Sequence, residues 1–193
     1  MDYPVKIKTK SIGGMTEEQF FKFCQENYLI KLERNTNGEI IIMAPTGSES
    51  ALFNSSIATE LGIWNKEHKL GYTFDSNAAF TLPNNAVRSP DAAFIRKEKW
   101  LNISNEDRKK FAHVCPDFVI ELLSPSDNII ELEEKMKEWI DNGCLLGWLI
   151  DPNEKKTKVY RRGTTPVVKD FNQLLEGEDV LPGFKLDVQS IFH

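Results

Sequence analysis

No apolar run in this chain extends beyond a few residues, so no segment supplies the roughly 20 apolar residues that a membrane-spanning helix needs. The opening stretch MDYPVKIKTK also lacks the apolar core of a signal peptide, which makes a cytoplasmic protein the expectation. Cysteine is scarce. Cys24, Cys115 and Cys144 are odd in number, far apart and without CxxC spacing, which argues against a disulfide framework and against zinc or thiol-redox chemistry. They are expected as small buried hydrophobes in a reducing compartment. Histidine is equally sparse: His68, His113 and His193 do not each have a plausible acidic orienter beside them, which leaves a Ser-His-Asp or Cys-His mechanism with little support. Excess positive charge is missing too. With 29 acidic against 24 basic residues the net charge is −5, which counts against non-specific nucleic-acid affinity and against a polybasic membrane patch. Any nucleic-acid chemistry must therefore draw on locally clustered Lys and Arg, or on a bound cation.

What is present reads as one globular domain. At 193 residues, 40% hydrophobic and 27% charged, the chain is long enough to bury a core without staples. The stretch TEEQFFKFCQENY has a capping-box pattern at Thr16 and Gln19, with Phe20, Phe23, Cys24 and Tyr28 at helical spacing. IKLERNTNGEIIIMAP predicts a hairpin turning near Asn37-Gly38. Residues 48 to 67 set Leu52, Ile57, Leu61 and Trp64 mostly on one face of a helix. YTFDS, AAFTL and SPDAAFIR read as three strands, residues 97 to 113 as a surface excursion with a short helix, and FVIELL as a further strand. A helix from about Ser126 to Asn142 then stops at Gly143, and LLGWLIDP pairs with KTKVYRR across Asn153-Glu154-Lys155. The tail reads as irregular, turning at Pro182-Gly183. This order predicts an α/β (α+β) domain around a mixed sheet.

Two carboxylates interrupt apolar strands: Asp91, directly after Ser89-Pro90, and Glu121, inside FVIELL. Burying an unpaired carboxylate is costly, so each needs a partner, a shifted pKa or a metal. On a strand Val119, Glu121 and Leu123 share one face, so Glu121 can reach a cleft while Ile120 and Leu122 pack on the other. If the strands are neighbours, Asp91 and Glu121 converge and offer hard oxygen ligands to Mg²⁺ (or Mn²⁺). A buried Glu that pairs with an Arg, and an Asp that serves as a turn residue, are the structural alternatives.

RSPDAAFI, PDFVIELLSPSD, KMKEWIDNGCLLGWLIDP and LPGF, in that order, resemble the Uma-type restriction endonuclease family, long catalogued as a domain of unknown function within the PD-(D/E)XK nuclease superfamily. The similarity runs from about LERNTNGEIIIMAPTG to the C-terminus. It implies a restriction-endonuclease-like core at residues 48–151, a mixed sheet flanked by helices. An N-terminal helix and hairpin extension would occupy 1–47, and a C-terminal strand and tail 152–193, all in one domain. It further implies an Mg²⁺-dependent endonuclease hydrolysing DNA, with Asp91 and Glu121 as catalytic metal ligands. The superfamily places a Lys two residues after the second acid, where this chain has Leu123. Helix-edge position separates Lys135 from Lys137 only slightly; the family pattern of a Lys four residues before an aromatic selects Lys135, ahead of Trp139.

Supporting positions follow from the same resemblance. Glu33 matches an acidic position near the site entrance, the alternative being a solvated hairpin residue, and Glu60 on the first core helix offers a third carboxylate, against the favoured alternative of a solvated helix face. Arg88 is placed either to contact a phosphate or to neutralise Asp91. Asp75 and Ser76 match a family stretch of unassigned role, and Asp117 reads as a strand-start turn residue. DNA is the expected partner, with no membrane, and cutting both strands points to a homodimer. The alternative is a catalytically inactive nuclease-fold module for nucleic-acid or protein interaction, which the acidic net charge and Leu123 favour.

Overall fold

The structure, a computed structural model, describes residues 4–192; Met1, Asp2, Tyr3 and His193 lie outside it. In chain order it contains β1 (Val5–Ile7), α1 (Glu17–Glu26), β2 (Leu32–Arg34), β3 (Ile40–Ile42), α2 (Ser48–His68), β4 (Gly71–Asp75), β5 (Phe80–Thr81), β6 (Val87–Arg88) and β7 (Ala92–Arg96). These are followed by α3 (Lys97–Leu101), α4 (Asn105–Arg108), β8 (Phe118–Leu122), α5 (Ile129–Asp141), β9 (Leu146–Asp151), β10 (Lys156–Arg161), β11 (Val167–Asp170), β12 (Leu175–Glu176), β13 (Lys185–Leu186) and α6 (Val188–Ile191).

The central sheet has six strands in the order β11-β10-β9-β8-β7-β4. Only β8 and β9 pair in parallel, and α5 is the crossover between them, as parallel neighbours require. The remaining pairs are antiparallel. A second sheet, β1-β3-β2-β6-β5, gathers the N-terminal hairpin and the short strands before β7.

Strand alternation divides the core into two layers. Ile120 and Leu122 face the layer of α2, where Ile57, Leu61 and Trp64 meet Ala92, Phe94, Trp148 and Ile150. Val119 and Leu123 face the layer of α5, where Leu132, Met136, Trp139 and Ile140 meet Ala93, Ile95 and Leu149. Fully burying side chains such as Met136 and Trp139 stabilises by about 1.5–3 kcal/mol each, which fixes the rotation of α5 about its axis. Gly147 lets α5 approach: a Cβ there would lie 2.5 Å from Met136 Cε. Lys135 is thereby held against the sheet rather than left on the surface.

Several expectations are corrected. α5 begins at Ile129, not Ser126, because Asp127 Oδ2 accepts from the Ser124 amide (2.8 Å) and hydroxyl (2.6 Å), closing a turn around Pro125. Asn128 then caps the helix, accepting from the Ile130 amide. Leu52 is 61% exposed. At 100° per residue it lies on the far side of α2 from Ile57, and the buried stripe runs back from Trp64 through Leu61 and Ile57 to Asn54 and Ser50. The strands YTFDS and AAFTL belong to different sheets, and β6 lies between AAFTL and β7. The tail is not irregular: β12 and β13 pair, α6 follows, and Leu175, Leu181, Phe184, Leu186 and Val188 cover the α2 layer, with Trp64 Nε1 donating to Pro182 O.

The capping box at Thr16 and Gln19 is formed as expected, as are the left-handed Gly38 in the first hairpin and Gly143 after α5. Cys115 and Cys144 are buried and Cys24 partly so, all three free. Among the described residues no helix is long and apolar enough to cross a membrane.

Candidate active site

The chain passes from one sheet to the other through Ser89-Pro90-Asp91. On the first sheet Arg34 pairs with Val87, which brings Glu33 alongside Arg88. On the second, the Asp91 amide donates to Ile120 O (3.0 Å), so Asp91 extends β7 beside β8 and Glu121. The segment thus ties two acidic strands to one point, and α5 lies across it.

Lys135 is the hub. Its Nζ lies 2.9 Å and 3.0 Å from the two oxygens of Glu121, 2.9 Å from Glu33 Oε1 and 3.0 Å from Ser89 O. Lys135 is 8% exposed, Glu121 3% and Glu33 2%. Glu121 Oε1 also accepts from Trp139 Nε1 at 2.8 Å, so Lys135 and Trp139, one helical turn apart, grip the same carboxylate. Glu33 in turn accepts from the Ser89 amide and pairs with Arg88 Nη1, both at 3.0 Å, and Arg88 Nε donates to Glu138. Asp91 has separate partners: Oδ2 accepts from the Leu122 amide (2.8 Å) and Oδ1 from Asn54 Nδ2 of α2 (3.1 Å).

The charges in this cluster are unequal. Glu33, Asp91, Glu121 and Glu138 face Lys135, Arg88 and, beside Asp91, Lys31, so carboxylates outnumber cations. Burial alone would raise Glu33, but Lys135 and Arg88 together with the Ser89 amide hold it at about 2. Glu121 goes the other way. Burial raises it to about 7, Lys135 offsets only part of that, and Asp91 and Glu33 add to it. Asp91 is also raised, by burial, against the opposing charge of Lys31. For Lys135 burial opposes the charge, yet Glu121 and Glu33 outweigh it and the ammonium stays protonated. A proton taken up by the cluster therefore goes to Glu121 rather than Glu33.

Of the residues singled out in the sequence, Asp91, Glu121, Lys135, Glu33 and Arg88 meet here. Glu33 is buried behind Lys135, not at an entrance, and Arg88 pairs with Glu33 and Glu138 rather than Asp91. Glu60 does not join: it is exposed and lies six residues beyond Asn54, about 9 Å along α2. Asp75 faces a neighbouring groove that it shares with Asp91 and Asn54, and Asp117 binds the Arg96 amide and Lys99 away from the site. Leu123 is core. His113 gains acidic partners that sequence neighbours did not supply, Asp107 at 2.7 Å and Glu17 at 2.8 Å, but carboxylates occupy both ring nitrogens and leave none for a nucleophile. Asn54, Glu138 and the indole of Trp139 were not anticipated; the stripe spacing of Asn54 from Ile57 was a usable signal.

Asp91, Glu121 and Lys135 line one small cavity of about 50 Å³, with Asn54, Lys31, Ser50 and Ser124 among its other walls. Its carboxylates and neutral oxygens suit a hard divalent cation such as Mg²⁺, which needs only one or two protein carboxylates. Among the described residues no group of three or more His, Cys, Asp and Glu side chains is arranged to hold a metal ion. A cation here would rest on Asp91 and Glu121, neutral oxygens and water. Asn54 Oδ1 is a buried acceptor without a partner among the described residues, consistent with that donor set.

One helix, three antiparallel-paired strands, a crossover helix and a parallel strand, with buried acids where the central strands meet, define a nuclease-like fold of the restriction-endonuclease type. The chain belongs to the Uma2 family, whose model, described as "Putative restriction endonuclease", matches residues 17–189. The fold is also that of a crystal structure from Anabaena variabilis described as a "putative nuclease belonging to DUF820", with a TM-score of 0.75 and 20% sequence identity. That match covers 92% of this chain and 97% of the other. No curated protein matches the sequence.

Proposed function

We propose that the protein is an Mg²⁺-dependent endonuclease that hydrolyses DNA phosphodiester bonds with an activated water. The observation that carries this reading is the convergence of Asp91 and Glu121, from neighbouring strands, on the cavity that also receives Lys135. The bound cation would polarise the phosphoryl oxygen and lower the pKa of the attacking water. Asp91 and Glu121 would hold it. The Lys135 ammonium, kept charged by Glu33, replaces the lysine missing at Leu123 and offsets negative charge developing on the phosphoryl group. Lys31, on the cavity wall, supplies a positive charge where the chain is otherwise acidic. Cutting both strands with one such site per chain calls for two copies, hence a homodimer on DNA.

The experiment is nicking of supercoiled plasmid by the purified chain. Cleavage that requires Mg²⁺ or Mn²⁺, stops with EDTA and is lost in Asp91→Asn supports the reading. Absence of cleavage by the wild type with either ion, or wild-type cleavage by Asp91→Asn, contradicts it. One observation favours a non-cleaving nuclease-fold module instead: both carboxylates already accept hydrogen bonds from protein donors. Metal-independent DNA binding without nicking would select that second reading.

A pH dependence follows from Glu121. A cation requires its ionised form, and a carboxyl near 7 holds a proton below that pH. Mn²⁺ affinity, measured calorimetrically, is expected to fall as pH drops from 8 to 6, approaching about tenfold per unit at the acidic end. Affinity that is flat from pH 8 to 6 would mean that no ligand carboxyl titrates near 7, against the raised Glu121.

A further inference from the structure

We propose that Asn54 is the third oxygen ligand of the cation site, contributed by α2; this rests on the cation-dependent reading above. Asn54 Nδ2 donates to Asp91 Oδ1 at 3.1 Å, which holds the amide beside that carboxylate. The amide's own Oδ1 is buried and has no hydrogen-bond partner among the described residues. Buried acceptors are almost always satisfied, so an unmet one next to a carboxylate calls for a partner from outside the chain. The residue lines the same cavity as Asp91 and Glu121.

The chemistry of the corner separates the candidate partners. A water donates two protons and serves two acceptors, whereas a divalent cation accepts electron pairs from every oxygen that reaches it. The surrounding excess of carboxylates over ammonium and guanidinium groups also favours a cation. Placement on α2 has the same logic. Asn54 sits on the stripe that otherwise carries Ile57, Leu61 and Trp64, three residues before Ile57, so its polar head is turned towards the sheet at the end where Asp91 begins β7.

The test is Mn²⁺ binding to the full chain, followed by calorimetry and by the metal-induced rise in melting temperature, with circular dichroism to verify folding. Asn54→Ala is expected to bind Mn²⁺ about tenfold or more weakly than the wild type. Asn54→Asp is the second variant. Without metal its carboxylate is repelled by Asp91, and with Mn²⁺ it adds an anionic ligand, so it is expected to melt lower than wild type in EDTA and to show a larger Mn²⁺-induced rise. An Asn54 that only packs would lower the melting temperature in both variants with no metal-specific gain in Asn54→Asp.

Wild-type Mn²⁺ affinity in Asn54→Ala overturns the proposal, as does an Asn54→Asp whose Mn²⁺-induced rise is no larger than that of the wild type. Asp91→Asn keeps the two claims apart. If it loses Mn²⁺ binding while Asn54→Ala keeps it, the ligand assignment fails and the cation site stands. If Asp91→Asn binds Mn²⁺ as the wild type does, or the wild type binds none, both fail.

Discussion

Lys135→Met is expected to destabilise the fold by about 3–5 kcal/mol at pH 7.5, read as a lowered urea midpoint. The cause is not the ammonium's own attraction, which desolvation largely offsets, but what remains when it goes. Glu33 and Glu121 are both almost fully buried and both face Lys135 Nζ within 3.0 Å, so the variant leaves Glu33 with Arg88 as its remaining cation and Glu121, which burial already holds near 7, without one. Methionine fills the space of the alkyl stem, which separates the charge effect from a cavity effect. The sign with pH is a second signature. Without Lys135 both carboxyls lose a charge that lowers them and rise, so the folded variant binds more protons than the folded wild type, and its deficit shrinks as pH falls towards 5. A deficit unchanged between pH 7.5 and 5 would mean that the ammonium does not neutralise this pair.

Glu121→Gln is expected to have the opposite profile, an intact fold with cleavage lowered by about 10³-fold. Burial and the neighbours Asp91 and Glu33 already disfavour the Glu121 charge, which is why its pKa lies near 7, so neutralising it removes a strained ion rather than a stabilising one. The glutamine carbonyl still accepts from Trp139 Nε1, and Lys135 keeps Glu33 and Ser89 O. The cation loses one of two anionic ligands, and losing several kcal/mol of transition-state charge stabilisation corresponds to about three decades in rate. Plasmid nicking beside a denaturation curve tests the pair of outcomes together. Glu121→Gln that unfolds like Lys135→Met, or that cleaves at the wild-type rate, would assign Glu121 a structural role.

The contrast between these variants shows what a linear reading of the chain can reach. Asp91 and Glu121 stood out because each interrupts an apolar strand, and alternation on FVIELL told which side Glu121 faces. The order of α2, β4, β7, β8, α5 and β9 followed from long, strongly patterned segments. Lys135 was selected by resemblance, since helical spacing hardly distinguishes it from Lys137. Tertiary packing decided it, through Met136 against Gly147 and Trp139 against Glu121.

What stayed hidden depends on partners far away in sequence. Glu33 reads as a solvated hairpin residue because nothing local reveals that β6 will bring Arg88 beside it and α5 will bury both. Strands of two residues, such as β5, β6, β12 and β13, are too short to show alternation. A helix start near Ser126 fits the local sequence, but the Ser124–Asp127 hydrogen bonds close a separate turn there and α5 begins at Ile129. Asn54 carries no local sign of its contact with Asp91, since a neutral amide on a patterned helix reads as an ordinary polar residue.

The most direct test of the account is a crystal structure of the wild-type protein soaked in Mn²⁺ at pH 8 and collected at a wavelength that gives manganese an anomalous signal. The account predicts a peak in the small cavity within about 2.0–2.3 Å of oxygens from both Asp91 and Glu121, with the Lys135 ammonium beside it. An empty cavity at saturating Mn²⁺, with Glu121 still held by Lys135 and Trp139 and Asp91 by Leu122 and Asn54, would contradict it.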